Sequence, residues 1–360
     1  MKIVIFGLTI SSSWGNGHAT VWRSLTRQLV RRGHEIVFFE RDVPYYAAHR
    51  DVSDIDGGTL RLYESWDEIC DCAERELRSA DVGIATSYCP DAISASELIW
   101  SSPAIRVFYD LDSPVTLTRF RAGEAVPYIH PNGLGEFDLV LSFTGGAALH
   151  ALKLDLGARE VAPFYGSVDP DVHRRVAPNH AYRAALSYLG TYSQDRQHAL
   201  QDLFIEPARR KPTARFVMAG AQYPAEFPWT ENIFFVQHLP PAEHPKFFCS
   251  SHLTLNVTRA AMREMGWCPS GRLFEAAACG TPMISDWWTG LDEFFTPHSE
   301  ILVASSAQDV LAALELSDAQ LRRTGHAARE RVLAEHTGAK RAQQFEKIIE
   351  NVHAPEMMTA

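Results

Sequence analysis

No stretch of this sequence stays apolar for the roughly 18–20 residues that a membrane-crossing helix needs, so no membrane span is expected. No basic, then apolar, then small-residue leader opens the chain either; KIVIFG runs straight into a folded pattern. Cysteine is sparse. The six are Cys70, Cys72, Cys89, Cys249, Cys268 and Cys279. None forms Cys-x-x-Cys, and Cys70 and Cys72 are too close together for a zinc knuckle. Reduced thiols and a cytoplasmic protein are the expectation. The 15 histidines show no His-x-x-x-His or His-Glu-x-x-His spacing, so no metal site is expected. Positive charge is short as well: 34 Lys and Arg face 44 Asp and Glu, a formal net charge of −10. Such a chain repels a phosphate backbone, and no nucleic-acid partner is expected. The basic groups at 31–32 and 209–211 read as solvated helix or loop faces.

What is present is an ordinary globular composition of 360 residues, 46% hydrophobic and 22% charged, long enough for about two domains. Each half reads as strands alternating with helices, which implies parallel sheets covered on both faces. Strands are predicted at Ile3–Thr9, Glu35–Glu40, Val82–Thr86, Ile105–Tyr109 and Leu139–Phe143, with helices at Thr20–Arg32, Trp66–Ser79 and Ala92–Ile99. EVAPFYGSVDPDV at 160–172, rich in proline, glycine and aspartate, reads as a linker. Beyond it, AALSYL, ARFVMAG, NIFFVQHL, LTLNVT and TPMISD supply further strands, and SGRLFEAAACG reads as a helix closed by Gly280. The charged segment from Ser317 to Val352 is helical with a break near His336–Gly338. The expected organisation is an α/β protein of two Rossmann-like domains, 1–165 and 166–335, facing each other across a cleft. A helical segment at 336–360 packs back on the first domain.

The turn WGNGHATVW follows the first strand. A dinucleotide enzyme would place Gly-x-Gly-x-x-Gly directly after that strand and an acidic residue after the next. Glu40 meets the second condition, but after Gly7 the glycines wait until Gly15 and Gly17. A P-loop fails too, because no Gly-Lys-Ser/Thr follows. A long loop ending in Gly15-Asn16-Gly17-His18 against a helix start remains, with Gly17 letting backbone approach an anionic ligand. His18 can take a proton from an attacking hydroxyl, or simply pack the loop. VFYDLDSPVTL ends a strand with Asp110 and Asp112. Asp112 can be the general base, can hold His18 in its working tautomer, or can form an ordinary turn before Ser-Pro. His130 is a further acceptor-side candidate. No Asp-x-Asp stands where a metal-dependent, single-Rossmann transferase would carry it.

PSGRLFEAAACGTPMISDWWTGLDEFFTPHSEILV at 269–303 resembles the donor-binding region of GT-B glycosyltransferases. There a helix bearing a glutamate ends in Ala-Cys-Gly-Thr-Pro, before a strand, a glycine loop and an acidic residue. Arg272, Phe274 and Glu275 match the Arg-x-Phe-Glu version of the spore-maturation-like, group 1-like members. The opening unit and FYGSVDPDVHRRV at 164–176 are similar to the acceptor-side unit and the interdomain stretch of that superfamily. The resemblance implies that Glu275 accepts from the ribose hydroxyls of a nucleotide sugar. Diphosphate charge calls for guanidinium groups, and Arg272 and Arg196 are the candidates, the latter beside the turn Gly190–Thr191. The Gly280-Thr281 turn can offer backbone groups to the same ligand. Better-known retaining members carry an earlier glutamate where this chain has Trp267; Asn256 and Arg259 in LNVTRAAM can substitute.

These residues predict transfer of a sugar from a nucleoside diphosphate, UDP rather than dTDP, to a hydroxyl acceptor in the cleft, leaning to inversion. No cofactor and no metal are expected. A nucleotide-sugar epimerase and a non-catalytic nucleotide-sugar-binding protein remain alternatives. Trp14, Trp22, Trp287 and Trp288 can form a stacking surface, though core packing is the commoner fate of tryptophan. Acceptor, sugar and oligomeric state are left open.

Overall fold

The computed structural model describes residues 1–15 and 17–353; Asn16 of the glycine turn and the tail 354–360 lie outside the described residues. The chain divides into two compact units, 1–166 with the segment from 338 onward, and 167–337.

The first unit holds the strands β1 (Lys2–Gly7), β2 (Glu35–Arg41), β3 (Thr59–Tyr63), β4 (Val82–Thr86), β5 (Ile105–Asp110), β6 (Leu139–Ser142) and β7 (Val161–Pro163). They form one 7-stranded sheet in the order β3-β2-β1-β4-β5-β6-β7. Neighbouring strands run parallel, with Ile3 opposite Ile36 on one side and Val82 on the other. The second unit holds β8 (Ala184–Leu189), β9 (Phe216–Gly220), β10 (Ile233–Gln237), β11 (Ser251–Asn256), β12 (Met283–Ser285) and β13 (Leu302–Val303). Its 6-stranded sheet has the order β10-β9-β8-β11-β12-β13. Parallel neighbours cannot be joined by a hairpin, so helices cross from strand to strand and cover both faces. That is why β4 and β9 are buried throughout, and β1 from Ile3 onward, rather than alternating.

Each sheet starts in its middle, grows to one edge, then jumps back past its first strand. The reversal leaves a crevice beyond the carboxyl ends of β1 and β4 in one unit, and of β8 and β11 in the other.

The helix His18–Arg31 buries Trp22, Leu25, Thr26 and Leu29, a stripe at helical spacing. Trp22 is fully enclosed, edge-on to Phe38 at 5.6 Å and to Tyr109 at 5.7 Å. The C-terminal helix Gly338–His353 lies against this one, adding Ala342, Phe345 and Ile349 to the same core. A Cβ at Gly338 would stand 2.7 Å from the Ser24 carbonyl oxygen, so glycine sets how closely the two helices approach. Arg32 and His34 grip Glu346 at 2.5 and 2.7 Å and pull its carboxyl down to about 2. Trp288 is buried in the second unit, Trp14 stacks on His49 at 3.7 Å, and Trp287 is exposed. The four tryptophans therefore make no common stacking surface.

Several elements escape the sequence pattern. β7 lies inside the stretch read as linker, and β3 is an edge strand with Leu62 exposed, so neither is a continuous apolar run. The helix Ser113–Arg121 opens with Pro114, which suits a first helical turn, yet Asp-Ser-Pro reads as a turn. The helix Ala147–Leu156 follows Gly146 at φ 55°. Truncating Trp22 to Ala empties the centre of the first core, and a loss of about 3–5 kcal/mol is expected in urea unfolding followed by circular dichroism. Trp22→Phe should lose less than half of that.

Candidate active site

Glu40 organises the loop after β1. It is buried, and its carboxylate accepts from Thr9 Oγ1 at 2.9 Å, Ile10 N at 2.7 Å, Ser11 N at 3.0 Å and Ser11 Oγ at 2.5 Å. Ser12 N donates to Thr9 Oγ1, and Ser13 N and Oγ to Asp51, which Arg23 holds through two further bonds. The amides from Ile10 to Ser13 therefore serve the loop itself. Glu40 is not placed to read a ribose; it is the internal partner of that loop. Gly17 caps the helix His18–Arg31 with no side-chain bond and is exposed.

His18 and Asp112 meet at a residue that no sequence motif marks. Tyr88 follows β4 with φ 62°, a conformation rare for a bulky residue. Its ring packs on the His18 imidazole at 5.6 Å, and its hydroxyl donates to Asp112 Oδ2 at 2.9 Å. Burial pushes His18 down to about 4, so its imidazole is neutral near neutral pH and able to accept a proton. Burial, then the Asp112 charge, raise the Tyr88 phenol, which stays protonated. Asp112 also caps the helix Ser113–Arg121. Asp110 lies behind it, fully buried, accepting from Asp112 N and Thr116 Oγ1, each at 3.1 Å. Burial lifts Asp110 to about 6. His130 is set apart, edge-on to Trp100 at 4.8 Å.

At the strand ends of the second unit, Gly190 follows β8, where a Cβ would meet the Tyr188 hydroxyl at 2.6 Å. Arg196 bends back to donate from Nη1 to Thr191 O at 2.9 Å, leaving Nε buried with no hydrogen-bond partner. Asn256 ends β11 and donates from Nδ2 to Ser285 Oγ at 2.9 Å. Beyond it, Thr258 donates from N and Oγ1 to Asp286 Oδ1, and burial raises Asp286. Arg259 pairs with Asp195, which also accepts from Ala260 N at 3.1 Å. Asn256 and Arg272 line one small pocket together with Thr254, Phe248 and Ala276.

Glu275 lies on the helix Gly271–Ala278, whose Ser270 cap accepts from Arg272 N. Its carboxylate is buried and accepts from Arg272 Nη1 at 3.1 and 3.0 Å and from His244 Nδ1 at 3.2 Å. Burial alone would raise this carboxyl, but the Arg272 charge, His173 and the His244 bond hold it far below the usual carboxylate range. The pair is i, i+3 on one helix, and Arg272 stays partly exposed while Glu275 does not. His173, His244 and Glu275 bring ligand atoms within 4.8 Å of one another, a set able to hold a metal ion. No histidine spacing announces it, because the three residues come from distant segments. Gly280 closes the helix at φ 71°, its N donating to Ala277 O and Thr281 N to Ala276 O. Both amides thus cap the helix, and the Arg175 guanidinium covers Gly280. Trp267, in the earlier glutamate slot, donates from Nε1 to Glu293 at 2.7 Å and lies over Gly290.

Residues 196–347 match the sequence profile of the family described as "Glycosyl transferase-like". No curated protein sequence matches the chain. Among solved structures, sucrose-phosphate synthase from Thermosynechococcus elongatus is similar in fold, with TM-score 0.69, 14% identity and coverage of 98% of this chain and 99% of that one. Anabaena HepE, solved with UDP and glucose, gives TM-score 0.70 at 12% identity over 97% and 99%. An alpha-glucosyltransferase solved with UDP-glucose and DNA containing an abasic site gives 0.71 at 14% identity over 97% and 99%. No helix among the described residues is long and apolar enough to cross a membrane. The chain thus has the two-domain, Rossmann-like GT-B fold, and its residues 196–347 are glycosyl transferase-like in sequence.

Proposed function

We propose that the chain transfers a sugar from a UDP-sugar to an acceptor hydroxyl. The observation that carries this reading is Glu275 in the matched part of the chain: a carboxylate kept ionised in a buried site, with the partly exposed side chain of Arg272 beside it. An ionised carboxylate accepts from a ribose diol more strongly than a neutral group does. HepE and the alpha-glucosyltransferase, solved with UDP or UDP-glucose on the same fold, support uridine as the base. A net charge of −10 argues against a DNA acceptor here.

The chemistry follows from the side chains. The acceptor oxygen attacks the anomeric carbon as the bond from that carbon to the diphosphate oxygen breaks. The acceptor proton passes to His18, neutral at working pH, while Tyr88 and Asp112 fix the ring's surroundings. Negative charge gathers on the departing UDP, where Arg272 and Arg196 stabilise it; the unsatisfied Nε of Arg196 suits that role. Gly190 allows the diphosphate to come close to backbone, and Asn256 shares a pocket with Arg272.

With a panel of nucleotide sugars, UDP should be the diphosphate released, and only when an acceptor is present. Isomerised donor without acceptor would instead reveal an epimerase. Calorimetry should find 2′-deoxy-UDP binding about 10–150-fold more weakly than UDP in the native protein, the roughly 1.5–3 kcal/mol of a bond to a charged group. Equal affinities would remove Glu275 from the ribose. His18→Ala should lower kcat by about 10²–10⁴ with little change in UDP affinity. Because His18 works as the unprotonated ring, kcat/KM should stay level as pH falls through 6.5 and decline only towards about 4. A half-point near 6.5 would assign the base elsewhere.

A further inference from the structure

Two of the six free thiols meet in the second unit. Cys249 closes the helix His244–Cys249, and Cys279 caps the helix Gly271–Ala278, which packs against it. They are 30 positions apart in sequence, yet the Cys249 sulfur stands 3.8 Å from the Cys279 carbonyl oxygen, and the two thiols hydrogen-bond one another. Their exposure differs. Cys279 is buried at 3%, whereas Cys249 is partly exposed. The segment 174–176 lies against Cys249: Val176 N donates to its sulfur at 3.4 Å, and Arg174 O is 3.9 Å away. Arg175, between them, sets its guanidinium over Gly280, the neighbour of Cys279. A sulfur facing an amide N–H, a thiol S–H and a guanidinium is stabilised as the thiolate, the form that attacks an oxidant. These groups, the Cys279 thiol foremost, outweigh burial and bring Cys249 down to about 7. The other four cysteines are less suited. Cys70 and Cys72 are two apart on the helix Trp66–Arg78, a spacing at which side chains do not face each other. Cys89 and Cys268 are buried, and burial pushes the Cys89 thiol up to about 12.

We propose that Cys249 and Cys279 are a peroxide-oxidised pair, Cys249 the attacking thiol and Cys279 the resolving one, which closes a reversible disulfide between the ends of the two helices. The Cys249 sulfur attacks one oxygen of hydrogen peroxide. The O–O bond breaks, and the departing hydroxide takes up the thiol's proton to leave as water. Cys249 is then a sulfenic acid. The Cys279 sulfur attacks the Cys249 sulfur, the S–O bond breaks, and hydroxide leaves with the Cys279 proton as a second water. Two thiols are oxidised to one disulfide while one peroxide is reduced to two waters. A dithiol reductant reverses the reaction by thiol–disulfide exchange. The bond fastens the end of the helix that carries Arg272 and Glu275, and its chemistry is independent of the sugar-transfer reading.

The test uses the full chain, reduced, freed of reductant, treated with hydrogen peroxide, then alkylated in denaturant and mapped by mass spectrometry. A peptide pair joining Cys249 to Cys279 should appear in the monomeric chain and vanish on treatment with dithiothreitol. Absence of that pair, or a disulfide that joins other cysteines instead, overturns the proposal. Cys279→Ser should stop at the sulfenic acid, captured on Cys249 by dimedone. Cys249→Ser should give dimedone capture at Cys279 about tenfold more slowly, as expected of a buried thiol without the thiolate's partners. No capture on Cys249 in the first variant, or equal capture rates in the two, overturns the assignment of roles. Should either variant not fold, the native protein decides the roles by itself: under brief iodoacetamide labelling before peroxide, Cys249 should be alkylated about tenfold faster than Cys279. Equal labelling overturns the assignment.

Discussion

An ionised carboxylate taken out of water is tolerated only when every oxygen finds donors. Both units of this chain are organised around one. Glu40, at the end of β2, gathers the amides and hydroxyls of residues 9–11 and turns a long serine-rich loop into a fixed platform. Glu275 takes Arg272 and His244 as partners and draws three separate segments together. The same need is answered in two ways. Neutral donors make Glu40 a structural knot with nothing left to offer, whereas Glu275 is held through the partly exposed Arg272.

The parallel sheets decide where such groups can stand. A strand buried on both faces has no room for polar chemistry along its length, so polar side chains collect where strands end. Tyr88 after β4, Asp112 after β5, Gly190 after β8 and Asn256 at the end of β11 all follow this rule. Tyr88 holds a left-handed backbone conformation at the point of reversal between β1 and β4, and backbone of that kind concentrates at working sites.

Much of this was legible in residue order. Buried parallel strands such as β4 are short apolar runs between turns, and the helix ending at Gly280 carries both a periodic apolar face and a stop residue. Glu275 stood out in residue order because its neighbours are small and its helix stop is marked. Less could be read where the partner is remote. His244 and His173 lie 31 and 102 positions before Glu275, and nothing local in either segment announces the cluster. Glu40 illustrates the opposite failure: the residue type and position suit a ribose ligand, but the loop it holds decides otherwise. Tyr88 had no motif at all, since its importance lies in a backbone angle.

The return of the chain after the second unit carries a consequence for biosynthesis. Ala342, Phe345 and Ile349 complete the core around Trp22, yet they are translated only after all of 167–337. A ribosome therefore releases an opening sheet with one flank of its helix bare, and that flank waits while a whole second unit emerges and folds. Vectorial folding in strict order is thus denied to this protein: the part made first is the part finished last.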